Sequence, residues 1–285
     1  MPISALGLLI LAALLHAGWN LLLKNTDHKY VVLWWGMVIG SMLCLPILLL
    51  RLPLPSRIWP YALSSALFEA IYDGTLAAAY QKEDFSLVYP IARGGAPALL
   101  ALWAIIFLKE TPSATGKLGL AVLTSGLMIV GSSKWWSVRK KGIGSATGIG
   151  LACLVALTIS IYSVIDGAAV KLADAAAYTV LVFVLTAIFA IPVIFKLYGW
   201  GAIKTEGRSH WLRAAAIGCL SLLAYMLVLY TYTFAPVSYG GAIREISIVF
   251  GALAGWLWLK ESFGFVRAIG AAVIFAGILT ILLGG

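Results

Sequence analysis

Seven ionisable side chains lie inside runs of otherwise apolar sequence: His16, Glu69, Asp73, Arg93, Asp166, Arg244 and Glu245. Their types define the chemistry available. A guanidinium matches a carboxylate or phosphonate in a bidentate way. A carboxylate can neutralise an arginine, carry a proton or attract a cation, and an imidazole can tune a protonation step. Arg93 stands in YPIARGGAP (89–97), between Pro90, Gly94, Gly95 and Pro97. Nothing in the chain supplies the rest of an enzyme: HExxH, Gly-x-Ser-x-Gly, a P-loop and Cys/His clusters are all absent. The Glu69/Asp73 pair has neither nucleophile nor metal to work with, so the expectation is a chain that is not an enzyme, with no cofactor and no metal.

These residues sit in a chain of 285 residues that is 62% hydrophobic and 11% charged. A soluble domain carries about 25% charged residues, so a water-facing shell is excluded and a polytopic membrane protein is implied. Ten spans can be read, over 3–23, 30–50, 58–80, 85–108, 116–133, 146–168, 175–196, 211–232, 236–259 and 265–283. Their length predicts helices, because a barrel shows short alternating segments. The first run continues to spanning length without a basic leader, so it reads as a span and not as a cleaved signal. Trp34, Trp35, Trp59, Tyr61, Trp135, Trp136, Trp200 and Trp211 fall near span ends, as interfacial anchors do. Cys44, Cys153 and Cys219 lack metal or redox spacing. The net charge is +9, but Lys and Arg cluster in short gaps between spans, which points to topology and anionic lipid, and no nucleic-acid motif occurs.

An internal repeat organises the chain. LKE at 108–110 returns at 259–261, an offset of 151, and in the same register Gly119 meets Gly270, Gly126 meets Gly277 and Arg93 meets Arg244. The spans divide as five plus five: 1–133, a connection at 134–145, and 146–285. An odd number of spans per half turns the second half upside down, the inverted-repeat plan that sets a site near mid-membrane between the halves.

Helical rise puts His16, Asp73 and Arg93 roughly 10–12 Å below one face. Glu69 lies one turn deeper than Asp73, while Arg244 and Asp166 approach from the opposite face. A lone charge at mid-bilayer costs about 3 to 10 kcal/mol, so Arg93 is expected to meet Asp73 or Glu69 beside a wet cavity. A static interhelical ion pair would satisfy the same requirement. Glu245 can serve as a partner for Arg244 or as a ligand, and His16 as a ligand or a packed residue. Tyr72, Tyr80, Tyr89, Tyr162, Tyr225, Tyr230 and Tyr239 can line a pore or pack. Pro90 and Pro97 are expected to disturb their helix, with Gly94-Gly95 and Gly240-Gly241 allowing close backbone approach. Gly36-xxx-Gly40 and Gly251-xxx-Gly255 read as packing motifs. Lys109-Glu110 and Lys260-Glu261 read as punctuation at span ends.

HAGWNLLLK (16–24), YPIARGGAPALLALWAIIFLKE (89–110) and AIREISIVFGALAGWLWLKE (242–261) resemble the drug/metabolite transporter superfamily, EamA type, and the resemblance covers the whole chain. It implies an all-α protein of ten transmembrane helices in two inverted five-helix repeats. It also implies a cavity lined by the first, third, fourth, sixth, eighth and ninth helices. IDGAA (165–169) and REIS (244–247) look like a bacterial subgroup associated with phosphonate use. The expected function is secondary transport of a small anionic or zwitterionic organic metabolite by alternating access in a bacterial inner membrane, with protons as a coupling ion and a monomer or homodimer as the unit. Candidate cargo-binding residues are Arg93, Arg244, His16, Trp19, Asn20, Tyr89, Tyr162 and Tyr239. Candidates for proton coupling or ion pairing are Glu69, Asp73, Asp166 and Glu245. The alternatives are transport of organic cations in an acidic, aromatic cage, and a lipid-carrier flippase. Of the eighteen Lys and Arg in the loops or at the span ends that border them, thirteen belong to loops after odd-numbered spans. The positive-inside rule then sets both termini outside, whereas the resemblance implies termini inside.

Overall fold

The computed structural model describes residues 1–24, 26, 28–82, 85–137, 146–251, 253 and 265–284. Among them, all regular structure is helical. The helices are α1 (Ile3–Lys24), α2 (Lys29–Leu49), α3 (Trp59–Lys82), α4 (Phe85–Phe107), α5 (Ala114–Ser137), α6 (Ala146–Ala169), α7 (Ala175–Ser209), α8 (Trp211–Tyr232), α9 (Val237–Ile243) and α10 (Phe265–Gly284). A 3-10 turn over Arg244–Ile246 follows α9, and helix resumes over 247–251. Six of these helices (α1, α2, α6, α7, α8 and α10) are long and apolar enough to cross a membrane. Helix is what an apolar run of that length must form, since lipid offers the backbone no hydrogen-bond partner.

Two ends of the bundle are defined by contacts between connections. At one end, Glu110 bonds to Val237, Lys171 Nζ donates to Tyr232 O, and Arg51 pairs with Asp174 at 3.8 Å. These residues follow α4, α8, α6 and α2, the even-numbered helices. At the other end, His28, after α1, lies 4.0 Å from Glu206 near the end of α7. The packing pairs exchange the halves: α3 lies on α6 and α7 as α8 lies on α1 and α2, and α4 lies on α6 as α9 lies on α1.

Glycine sets the closest approaches. A Cβ on Gly119 would meet Gly277 O at 3.0 Å, one on Gly126 would meet Gly270 O at 3.0 Å, and one on Gly270 would meet Gly126 O at 3.0 Å. The α5–α10 seam is therefore antiparallel, and it is built from the glycines that recur at the 151-residue offset. Gly36 and Gly40 of α2 likewise lie against α8, where a Cβ on Gly40 would stand 2.9 Å from Gly218 O. This is the role expected of Gly36-xxx-Gly40; Gly251-xxx-Gly255 and Lys260-Glu261 reach outside the described residues.

Three expectations change. The helix through Pro90 and Pro97 is unbroken from Phe85 to Phe107; the irregular turn lies in the other half, at Arg244–Ile246. Trp34 and Trp35 are not interfacial anchors. Their indoles turn inward and donate to Ala187 O and Ile203 O, both at 2.9 Å, tying α2 to α7. Trp59, Trp200 and Trp211 do remain exposed. The stretch 197–210, read as a connection, is helical past a sharp bend at Gly199 (φ 70°, ψ 163°), a backbone state that glycine reaches without strain.

The seams predict a hierarchy of substitutions. Gly277→Ala, whose Cβ would lie 2.7 Å from Leu123 Cα, and Gly40→Ala should each lower stability by about 1–3 kcal/mol through forced backbone separation. Gly150→Ala has open space around it and should be neutral or stabilising. Unfolding midpoints in detergent give the comparison.

Candidate functional site

The helices enclose a chamber of about 100 Å³, room for several water molecules. Walls come from α1 (His16, Trp19), α3 (Glu69, Tyr72, Asp73), α4 (Arg93), α6 (Tyr162), α8 (Tyr225) and the segment after α9 (Arg244, Glu245). Leu33 and Met37 of α2 and Phe183 of α7 also contribute, so the lining extends beyond the six helices expected. Small residues let α4 pack closely: a Cβ on Gly94 would collide with Met128 of α5, and one on Gly95 would stand 3.3 Å from Ala156 Cβ of α6.

The centre of the chamber is one carboxylate between two guanidiniums. Arg93 Nη1 donates to Glu245 Oε1 and Oε2 at 3.2 and 3.1 Å. Arg244 Nε lies 3.4 Å from Glu245 Oε1, and Arg244 Nη2 donates to Ser163 Oγ at 3.1 Å. The Glu245 side chain is 1% exposed while those of Arg93 and Arg244 retain 19% and 12%. The carboxylate is thus sealed and the guanidiniums still reach the chamber. Arg93 Nη2 lies 3.1 Å from His16 Nε2. A guanidinium only donates, so Nε2 accepts and the imidazole proton sits on Nδ1. The His16 ring meets Trp19 edge-on at 4.8 Å.

The partner expected for Arg93 was Asp73 or Glu69, and neither fills that role through an observed bond. Thr186 Oγ1 of α7 donates to Glu69 Oε2 at 2.7 Å. Asp166 is fully buried behind the wall, where Tyr178 OH donates to Oδ1 at 2.6 Å and Tyr225 OH donates to Oδ2. Asp73 Oδ2 is buried without a hydrogen-bond partner, and so is Trp19 Nε1. An unsatisfied buried polar atom is costly, and each leaves one unmet valence at the chamber wall.

Of the predicted binding residues, His16, Trp19, Arg93, Tyr162 and Arg244 are brought together. Asn20 is not: it is exposed, and its Nδ2 donates to His16 O at 2.8 Å one turn back. Tyr239 is buried near Gly116 at the even-loop end, away from the chamber lining. The Tyr89 side chain lies outside the described residues. Sequence reading passed over Ser163, Thr186, Tyr178 and Glu110. The first three are span-interior hydroxyls, and their spacing carries no signal without knowing which helix faces which. Glu110 was taken for punctuation.

The model of the EamA-like transporter family matches the chain twice, over residues 3–132 and 146–283, and the chain belongs to that family. It is accordingly a multi-pass membrane protein and a transporter of the drug/metabolite type. A solved structure described only as the crystal structure of a protein is similar in fold, with a TM-score of 0.78 and 18% identity, over 100% of this chain and 98% of its own. No curated protein sequence matches.

Sharing of Glu245 predicts strong coupling. In a double-mutant cycle, Arg93→Met and Glu245→Gln should be non-additive by about 1–3 kcal/mol, as directly bonded partners are. Chemical unfolding in detergent measures it. Asn20→Ala should be additive with either substitution.

Proposed function

We propose that this chain is a secondary transporter of a small anionic or zwitterionic organic metabolite, amino-acid-like or phosphonate-like, which it carries through the central chamber by alternating access. The observation that carries the reading is the convergence of Arg93 and Arg244, one from each half, on a single carboxylate. On this reading Glu245 stands in for the anionic group of a cargo, and its contacts with both guanidiniums support a pair able to hold a carboxylate or phosphonate. Loading replaces Glu245 on one or both arginines, exchanging one charge-assisted contact for another.

An inverted arrangement of two five-helix halves fits the antiparallel α5–α10 glycine seam and the exchanged packing pairs. Rocking of one half on the other would present the chamber to each side in turn. Asp73 Oδ2, buried without a partner, offers a place for a coupling proton or for a donor on the cargo. Residence in a bacterial inner membrane and the orientation set by charge bias belong to the same proposal.

A second reading has its own observation. Asp73 and Glu69 lie in the wall with Trp19, Tyr72, Tyr162 and Tyr225, an acidic and aromatic setting that suits an organic cation. A thermal-shift screen of matched anionic, zwitterionic and cationic metabolites separates the two. On the anionic reading, Arg93→Gln and Arg244→Gln each weaken cargo binding about 10- to 100-fold, the loss expected for a charge-assisted hydrogen bond. Unchanged affinity in both variants rejects the arginine clamp. Uptake into proteoliposomes should respond to a pH gradient and lose that response in Asp73→Asn.

A further inference from the structure

Away from the chamber, another carboxylate ties the halves together. Past the end of α4, Lys109 takes the left-handed conformation (φ 57°) common just beyond a helix C-terminus, and Glu110 N returns to Ala104 O at 3.2 Å. That turn aims Glu110 at the start of α9. Its Oε1 accepts from Val237 N at 2.6 Å, and its Oε2 accepts from Ser238 N at 3.2 Å and from Ser238 Oγ at 2.6 Å. Pro236, which precedes α9, supplies no side-chain cap. Two of the first-turn N–H groups that a helix leaves unpaired are therefore satisfied from the opposite half of the chain.

The surroundings are closed. Tyr178, Tyr232, Val237, Tyr239 and Ile243, between the chamber and this end, are all 2% exposed or less. Gly240 and Gly241 leave no room for a Cβ beside Tyr232 and Leu100. Lys171 Nζ donates to Tyr232 O at the same end. At the opposite end the chamber reaches Trp19, five residues before α1 stops, and Leu33, four residues after α2 begins. Gly18 there has open space beside it.

We infer that Glu110 is the latch of the even-loop end. It holds the start of α9 against the end of α4, so that the chamber communicates only with the odd-loop end, and its release opens the other exit. The inference rests on the alternating-access reading. Its lever is α9 itself: Arg244 and Glu245 follow Val237 by two helical turns, so displacing the capped end moves the residues that hold Arg93. Glu110 touches no cargo in this scheme; it positions α9.

The test needs no cargo. In a background with Cys44, Cys153 and Cys219 replaced, Ser221→Cys puts a reporter thiol on the chamber wall. A membrane-impermeant maleimide is then applied to sealed vesicles from either side. With Glu110 intact, labelling is expected chiefly from the odd-loop side. Glu110→Gln should raise labelling from the even-loop side about tenfold, the population shift expected when charge-assisted hydrogen bonds are lost from one state. Ser238→Ala removes one of the three bonds and should act in the same direction by less. It also keeps the test open if Glu110→Gln fails to fold, which loss of the monodisperse peak on size-exclusion chromatography in detergent would reveal. Even-loop labelling equal to the parent's in the folded variants overturns the latch. Failure of the cargo reading is seen elsewhere, in metabolite binding, and leaves this result untouched.

Discussion

A single buried carboxylate shared by two guanidiniums is the constraint around which the structure is arranged. Glu245 is almost wholly sealed and Arg93 and Arg244 nearly so. Removing three charges from water carries a penalty that only close, well-directed contacts offset. The fold helps with small residues, since Gly94 and Gly95 leave α4 room against α5 and α6, and the long side chains of Arg244 and Glu245 meet at 3.4 Å although the two residues are consecutive. Because Arg93 and Glu245 belong to different halves, the ion pair between them is also a bond between halves. The Gly94 position corresponds to Glu245 at the 151-residue offset, so only one half contributes a carboxylate here.

Much of the fold was legible because the bilayer fixes a length scale. Predicted and observed bounds agree within two residues for α1, α2, α3, α4, α6 and α8, since an apolar run of about 20 residues has one way to cross lipid. The repeat was legible too, in the glycines that now form the α5–α10 seam. Depth could be counted along each helix, and His16, Arg93 and Asp73 do meet one chamber. What counting cannot supply is azimuth. Asp73 and Glu69 lie at a suitable level for Arg93, yet their observed contacts differ: Thr186 takes Glu69, and Glu245 takes Arg93. For Glu245, a regular helix puts consecutive side chains about 100° apart. The long side chains of Arg244 and Glu245 bridge that angle, Nε to Oε1 at 3.4 Å, and position along the helix does not tell that the same carboxylate also reaches Arg93.

The same limit explains Glu110. As part of a repeated LKE it looked like a span-end charge meeting water, the common fate of such residues. Two of its three partners are backbone N–H groups 127 and 128 residues away, and backbone donors leave no trace in residue type. A helix preceded by proline, with no capping side chain of its own, was the available clue at Pro236.

The seam between α5 and α10 has a consequence for how such a chain is held together. Gly119 faces Gly277 and Gly126 faces Gly270, and exchanging the halves at the 151-residue offset turns each contact into the other. A surface with that property is self-complementary, of the isologous kind that joins identical subunits. Two separate polypeptides bearing this face would mate in the same antiparallel sense without a covalent connection. A covalent connection between two such faces would then chiefly raise the local concentration of one near the other.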